Sequence, residues 1–157
     1  MEIKLKPKTF HYEVGTRWNG EKRGVLQAAG KPDVEVASPP EFHGHPGVWC
    51  PQELLVASVN ACAMTTFLSA VQRRGIDLVS YECDANGTLE MAEGGFRFTR
   101  IVLRPRIGIG RGDQREAALA AFREAEADCL IVRSLVTRVE AEPQVVVVER
   151  VPAAAAR

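Results

Sequence analysis

Residues 51–75 read PQELLVASVNACAMTTFLSAVQRRG, and this segment sets the architecture of the chain. Proline suits the first position of a helix and Gly75 the position just past its end, with no Gly or Pro between 52 and 74. Apolar side chains occupy nearly every face of this helix, and such a helix is buried in a core or an interface. The segment therefore predicts a long central helix shared with a partner subunit.

Strand patterns precede this helix. Residues 10–15 alternate apolar and polar side chains with period two, which is typical of a strand. Asn19-Gly20 is a strong hairpin signal and predicts that the chain returns through residues 24–28. Residues 34–36 predict a further short strand, so the N-terminal third is expected to be a small sheet.

Two longer strands follow the helix. Strict alternation over 79–90 predicts a half-buried strand, the Glu93–Gly95 segment predicts a hairpin, and 96–109 predicts the returning strand. The alternation changes phase between Phe98 and Ile101, which indicates a β-bulge. Pro105 indicates that this strand lies at an edge or lacks a ladder partner at that point.

A second helix and two short strands complete the pattern. Asp113 and Glu116 approximate a capping box that opens a helix ending near Cys129. Residues 136–141 and 144–151 predict a closing hairpin. Strands, helix, strands, helix and strands in this order predict an α+β fold.

Composition restricts the function classes. The 157 residues predict a single domain over 1–151, with a frayed tail at 152–157. Lys plus Arg equals Asp plus Glu at 20 each, so the net charge shows no basic footprint for nucleic acid. No apolar run approaches the roughly 18 residues of a membrane span, and the first eight residues lack the apolar core of a signal peptide. We expect a cytoplasmic protein with no membrane partner.

Cys62, in the middle of the long helix, is the first of four cysteines to consider. A free cysteine is commonly a small buried core residue. A reactive thiolate there would need a nearby cation, because the helix dipole fades within the first turn. Asn60, Thr65 and Thr66 are polar residues in this apolar helix, and they require hydrogen-bond partners if they are buried.

The other cysteines have different surroundings. Cys129 ends the second helix, where the dipole disfavours a thiolate, so it suits a resolving thiol better than an attacking one, or else a core contact. Cys83 falls on the buried face of its strand and is expected in the core. Cys50 is either a surface cysteine in a loop or, with His43 and His45, a zinc ligand.

The chain resembles the OsmC/Ohr family, the osmotically inducible and organic hydroperoxide resistance proteins. The resemblance covers about residues 18–148 and rests on Pro51–Leu55, on Ala61-Cys62, on the strand pair at 79–108 and on Glu124–Cys129. The two cysteines lie on two helices in the family's order. This resemblance implies antiparallel sheets wrapped around long central helices in an intertwined homodimer.

The resemblance also implies an activity, a cysteine-based peroxidase that acts on organic hydroperoxides without haem, flavin or metal. By this resemblance Cys62 is the peroxidatic thiolate and Cys129 the resolving thiol. The thiolate becomes a sulfenic acid, which condenses with the second thiol to a disulfide. A dithiol reductant, lipoyl-type or another thiol, then restores both cysteines by exchange.

The family uses an arginine and a glutamate as well. The arginine corresponds to Arg23, with Arg17 as the alternative. The glutamate position falls on Gln52, and Glu53 is its neighbour about 100° further around the helix. Leu130 is a second departure, because proline usually follows the second cysteine.

Two other functions compete with the peroxidase. One is a non-catalytic or ligand-binding protein of the same fold, in which the cysteines line an apolar pocket. The other is a zinc-bound loop protein that uses His43, His45 and Cys50.

Overall fold

The computed structural model describes residues 8–149, which form two compact units with the boundary between Leu54 and Leu55. Seven strands and three α-helices alternate along this part of the chain, as the α+β prediction required. The predicted tail at 152–157 lies outside the described residues. The prediction of a single domain over 1–151 stays a prediction.

The first unit contains an antiparallel sheet of β1 (Gly15–Trp18), β2 (Arg23–Gln27) and β3 (Val34–Ala37). The predicted hairpin at Asn19-Gly20 is confirmed, although its loop has four residues, with positive φ at Gly20 and Glu21. The strand predicted at 10–15 is wrong up to residue 14. Residues 10–14 belong to no strand and are exposed, because alternation forms a strand only where a ladder partner exists.

Helix α1 spans Pro51–Arg74, as predicted, and begins in the first unit. Gly75 ends it with φ of 63°, a conformation that costs glycine little. The buried residues Val59, Ala63, Phe67, Ala70 and Val71 form one stripe along the helix. The rest of its apolar surface is only partly covered within the single chain.

The second unit is built on β4 (Leu78–Ala92) and β5 (Gly95–Ile109), which form an antiparallel hairpin. Glu93 and Gly94, both with positive φ, make the two-residue turn that the sequence predicted. The predicted bulge is confirmed, because the ladder passes from the Thr88–Arg100 pair to Leu89–Phe98 and leaves Thr99 without an opposite residue.

The closing hairpin predicted at 136–151 is wrong. Strands β6 (Arg138–Ala141) and β7 (Gln144–Val147) both pair with β5 in parallel, so this sheet is mixed rather than wholly antiparallel. β5 is therefore a central strand, and Pro105 is not at an edge. Pro105 instead falls in the gap between the two parallel partners, so the alternative reading, a missing ladder partner, is confirmed.

Helix α2 spans Arg115–Asp128 and packs its apolar face into the core of this unit. Phe122 lies against Phe67 of α1, with ring centroids 5.7 Å apart. The predicted capping box is wrong, because a short 3₁₀ turn at Gly112–Gln114 precedes α2 and Asp113 pairs with Arg111. Helix α3, Leu130–Arg133, follows α2 directly and is too short to have been predicted from periodicity.

Helix α1 is long and apolar enough to cross a membrane by length and composition alone, contrary to the sequence expectation. An 18-residue window has a mean hydropathy of 1.8, and 28% of that window is buried within the chain. Alanine, cysteine and threonine interrupt the run of large apolar residues without making the helix polar. The same composition is found in core helices of proteins that never meet a bilayer.

Candidate functional site

Cys62 and Cys129 meet inside the second unit. Helix α1 carries Cys62 beside its buried stripe, so the thiol is partly covered. Cys129 is completely buried at the junction of α2 and α3. Both cysteines are free thiols, and the side chains lie close enough for Cys129 to donate a hydrogen bond to the Cys62 sulfur.

The surroundings of Cys62 favour its thiolate. Burial raises the pKa of the Cys62 thiol, but hydrogen bonds from Cys129, the Ile131 amide, Thr66 and the Leu130 amide outweigh that effect and lower the pKa below its usual value. These donors are neutral. The sequence expectation that a reactive Cys62 needs a nearby cation stays a prediction, and dipoles at the α2–α3 junction also lower the Cys62 pKa.

Cys129 has the opposite bias. Burial raises the pKa of the Cys129 thiol, and the hydrogen bond to Cys62 and the negative charge of an ionised Cys62 raise it further. Cys62 therefore ionises more readily than Cys129. This difference matches an attacking and a resolving thiol.

The junction owes its geometry to Cys129, which ends α2 and is also the N-cap of α3. Its φ of −64° and ψ of 111° turn the chain, and its carbonyl accepts the Arg133 N–H at 3.0 Å. Leu130 is the first residue of α3, so its N–H is not used in the helix ladder. That amide is one of the donors to Cys62.

Replacing Leu130 with proline is expected to raise the pKa of Cys62 and leave the fold intact. Proline suits the first helical position, and the extended backbone of Cys129 suits a residue before proline. The Leu130 side chain is 69% exposed, so its loss removes little packing. Alkylation of Cys62 as a function of pH measures the shift, and Leu130→Ala, which keeps the N–H, is the control. An unchanged pKa in the proline variant would contradict the role of this amide.

Cys50 and Glu53 cap the start of α1. The Cys50 N–H donates to Glu53 Oε2 at 3.0 Å, and the Glu53 N–H donates to Cys50 Sγ at 3.4 Å. This reciprocal pair is a capping box in which cysteine replaces the usual serine or threonine. The surface-loop reading of Cys50 is therefore wrong, since the residue is buried. The carboxylate of Glu53 already has a partner.

Gln52 has no such partner. Its side-chain oxygen is buried and accepts no hydrogen bond from the described residues. A buried amide oxygen without a donor is rare and costly. Gln52 is therefore a residue at the helix start with an unused acceptor, and its place at the position of the family glutamate stays a prediction.

Arg17 and Arg23 lie in the first unit, on β1 and β2. Arg17 is opposite Val25, and Val25 and Arg23 are two residues apart on one strand, so both arginines share one face of the sheet. Both are exposed, and neither forms an ion pair within residues 8–149. Strand alternation does not distinguish them, and the approach of either to Cys62 stays a prediction.

The zinc hypothesis is wrong for the described residues. No group of three or more His, Cys, Asp or Glu side chains in that part of the chain is arranged to hold a metal ion. His45 Nε2 instead lies 3.0 Å from Glu21 Oε2. The Cys50 sulfur instead accepts the Glu53 N–H at 3.4 Å.

Cys83 and the polar residues of α1 have structural partners. Cys83 is half-buried on β4, and burial raises the pKa of its thiol. Asn60 donates to the Cys83 carbonyl at 2.9 Å, which ties α1 to β4. Thr65 and Thr66 both donate to the Cys62 carbonyl, at 3.1 and 2.9 Å.

The Leu130 and Ile131 amides were not predicted as part of the site, because backbone donors leave no sequence signal. Thr66, in contrast, could have been identified from the sequence. It lies four residues after Cys62, the spacing that brings side chains together on a helix.

The chain thus combines an α+β fold with two neighbouring thiols whose pKa values are shifted in opposite directions, one of them on a long apolar helix. This combination can be compared with known protein families. Residues 44–143 match the family model described as OsmC-like protein, so this chain belongs to that family.

Similar proteins support the same fold. The Bacillus subtilis protein YmaD, described as uncharacterized, is 24% identical over 134 residues, which cover 83% of this chain and 89% of YmaD. An OsmC-like protein of unknown function from Vibrio cholerae aligns with a TM-score of 0.80 and 19% identity, over 87% of this chain and 100% of that one. The organic hydroperoxide resistance protein OsmC from Legionella pneumophila aligns with a TM-score of 0.67 and 21% identity, over 87% and 98%.

Proposed function

We propose that this protein is a thiol-dependent peroxidase that reduces organic hydroperoxides through Cys62 and Cys129. The observation that carries the proposal is the asymmetric thiol pair, in which the Cys62 pKa is lowered and the Cys129 pKa is raised. A low-pKa thiol next to a resolving thiol is typical of redox-active cysteines. The relative from Legionella, named for organic hydroperoxide resistance, supports the substrate class.

The proposed reaction balances without a cofactor. The Cys62 thiolate attacks the outer peroxide oxygen, so that an S–O bond forms, the O–O bond breaks and sulfur gives up two electrons. The alkoxide leaves and takes a proton from water to become an alcohol. Cys129 loses its proton and attacks the sulfenic sulfur, which forms the S–S bond and releases water. A dithiol reductant then restores both thiols and is itself oxidised to a disulfide.

The proposed assembly is an intertwined homodimer, in keeping with the expectation from sequence. Only 28% of the apolar window of α1 is buried within the single chain, and a second subunit would cover more of it. A cytoplasmic location fits a mechanism that needs a thiol reductant, because reducing compartments keep such thiols available.

One equivalent of tert-butyl hydroperoxide is expected to convert the reduced protein to a Cys62–Cys129 disulfide. The Cys62 and Cys129 side chains lie within hydrogen-bonding reach of each other, so we expect the disulfide to form without a large movement of α2. Titration should show the four thiols falling to two, and peptide mapping under non-reducing conditions should identify the link. Survival of all four thiols would refute the peroxidase and favour the ligand-binding alternative.

Two variants are controls for this experiment. Cys83→Ser should still form the disulfide, because Cys83 is a structural thiol on β4. Cys129→Ser should lose one thiol per equivalent instead of two, with a sulfenic acid at Cys62 that dimedone traps. A disulfide between any other pair would place the chemistry elsewhere.

A further inference from the structure

An ionic contact, here called the Glu124 clamp, joins α1 to α2. Glu124 of α2 accepts a hydrogen bond from Arg73 at 2.5 Å through Oε1 and another from Arg74 at 2.7 Å through Oε2. Both arginines lie in the last turn of α1. The hydrogen bonds from Arg74 and Arg73 lower the pKa of the Glu124 carboxyl, so this group is ionised at neutral pH. One carboxylate therefore holds two guanidinium groups, one with each oxygen.

The two helices joined by the clamp are also the two that carry the thiols. Helix α1 continues without a break from Cys62 to the two arginines. Glu124 lies four residues, about 6 Å along the axis, before the end of α2 at Asp128, and Cys129 follows directly. Because each helix is a short rigid rod, a displacement of Glu124 relative to α1 also displaces Cys129 relative to Cys62.

An apolar contact lies between the thiols and the clamp along α1. The fully buried rings of Phe67 and Phe122 meet there with centroids 5.7 Å apart. Such a contact is not directional, so by itself it permits α2 to slide or rotate slightly on α1. Two charge-assisted hydrogen bonds to one carboxylate are directional and restrict both motions. An exposed ion pair adds little to stability, so we expect the clamp to act on geometry.

We propose that the Glu124 clamp is a positioning device, which holds the end of α2 where Cys129 meets Cys62. Its three side chains act through α2 and are positioning residues. The clamp raises the effective concentration of the Cys129 thiol at the Cys62 sulfur, and so favours the disulfide over an unresolved sulfenic acid. The inference rests on the proposed pairing of Cys62 with Cys129.

The test is the equilibrium of the Cys62–Cys129 disulfide with glutathione in the whole protein, measured by acid quench, alkylation and peptide mapping. Two protein thiols reduce one glutathione disulfide to two glutathione thiols, and the equilibrium constant gives the effective concentration of the protein thiols. Glu124→Gln removes the charge and keeps the size of the side chain, and should lower this effective concentration by about fivefold. Arg73→Gln combined with Arg74→Gln should have the same effect. Adding Glu124→Gln to that pair should lower it no further, because all three changes remove one interaction.

Glu140→Gln is the matched control. Glu140 lies on β6, accepts two hydrogen bonds from Arg100 at 2.8 and 2.6 Å and pairs with Arg138, so this change also removes a carboxylate held by two arginines. It does so in the sheet and not between the two helices, and the effective concentration should stay at the parent value. An equal fall in the two variants would place the effect in general stability and overturn the proposal, as would no fall in Glu124→Gln.

Salt provides a readout that a purely structural role would not change. The clamp side chains are 33% to 58% exposed, so an increase in ionic strength from about 0.1 M to about 1 M screens their charges. The effective concentration in the parent should fall toward that of Glu124→Gln, and the variant should respond less. An equal response to salt in parent and variant would contradict the proposal.

The glutathione experiment is independent of peroxidase activity. A lowered effective concentration in Glu124→Gln supports the clamp even if hydroperoxide fails to oxidise Cys62, in which case only the proposed function fails. Oxidation by hydroperoxide together with an unchanged effective concentration in Glu124→Gln has the reverse meaning. A parent protein that forms no Cys62–Cys129 disulfide with glutathione would overturn the positioning role itself.

Discussion

Replacing Arg23 with alanine is expected to lower the second-order rate constant of Cys62 oxidation by alkyl hydroperoxide by about 100-fold. Neutral donors already lower the Cys62 pKa, so the loss should appear mainly in the transition state. There the guanidinium would stabilise the oxygen that leaves as alkoxide. Stopped-flow oxidation gives the rate, and alkylation gives the pKa, which should change little.

Arg17→Ala is the matched control for this prediction. Arg17 shares the sheet face of Arg23 and is also exposed, so both variants remove the same charge from the same surface. Only the Arg23→Ala variant should show a lowered rate constant for oxidation by alkyl hydroperoxide. A slow Arg17 variant beside a normal Arg23 variant would show that Arg17 is the activating cation.

Variants at the start of α1 provide a second control, on the proposed contact between the arginine and residue 52. Gln52→Glu should raise the oxidation rate, because a carboxylate holds guanidinium more firmly than the unpartnered amide oxygen does. Glu53→Gln should instead weaken the capping pair with Cys50 and reduce stability by about 1 kcal/mol, with the rate nearly unchanged. A severe rate loss in Glu53→Gln, with Gln52→Glu unchanged, would assign the arginine contact to Glu53.

The second large effect concerns assembly. Light scattering at low micromolar concentration should give a mass near twice 17.2 kDa. Between residues 55 and 72 of α1 the exposed positions form one stripe opposite the buried one, at residues 61, 65, 68, 69 and 72. Small and apolar residues fill most of this stripe, which suits close contact with a second subunit.

Leu68→Glu places a charge in the middle of this stripe and is expected to remove the dimer and lower the melting temperature by several degrees, since desolvating an unpaired carboxylate is costly. Leu68→Ala removes the same side chain without a charge and should remain dimeric. A Leu68→Glu protein that keeps the double mass would exclude this stripe as the interface. A folded parent near 17 kDa would refute the dimer itself.

Local sequence signals were sufficient for the elements whose physics is local. The Gly75 stop, the turn at Glu93-Gly94 and the bulge at Thr99 each follow from backbone preferences within a few residues. Alternation failed at residues 10–14, where the pattern is present but a ladder partner is not. Asp113 failed as a cap because the competing Arg111 lies two residues away.

For the site, the sequence by itself determined the residues with reactive side chains: the two cysteines on two helices and the polar neighbours of Cys62. Only the tertiary structure decided which thiol has the lowered pKa, because that depends on amides of Leu130 and Ile131, which approach through a turn rather than along the chain. It also decided that β6 and β7 pair with β5 and not with each other. Strand direction is selected by the partner that buries the strand, and that partner lies more than 30 residues away in the sequence.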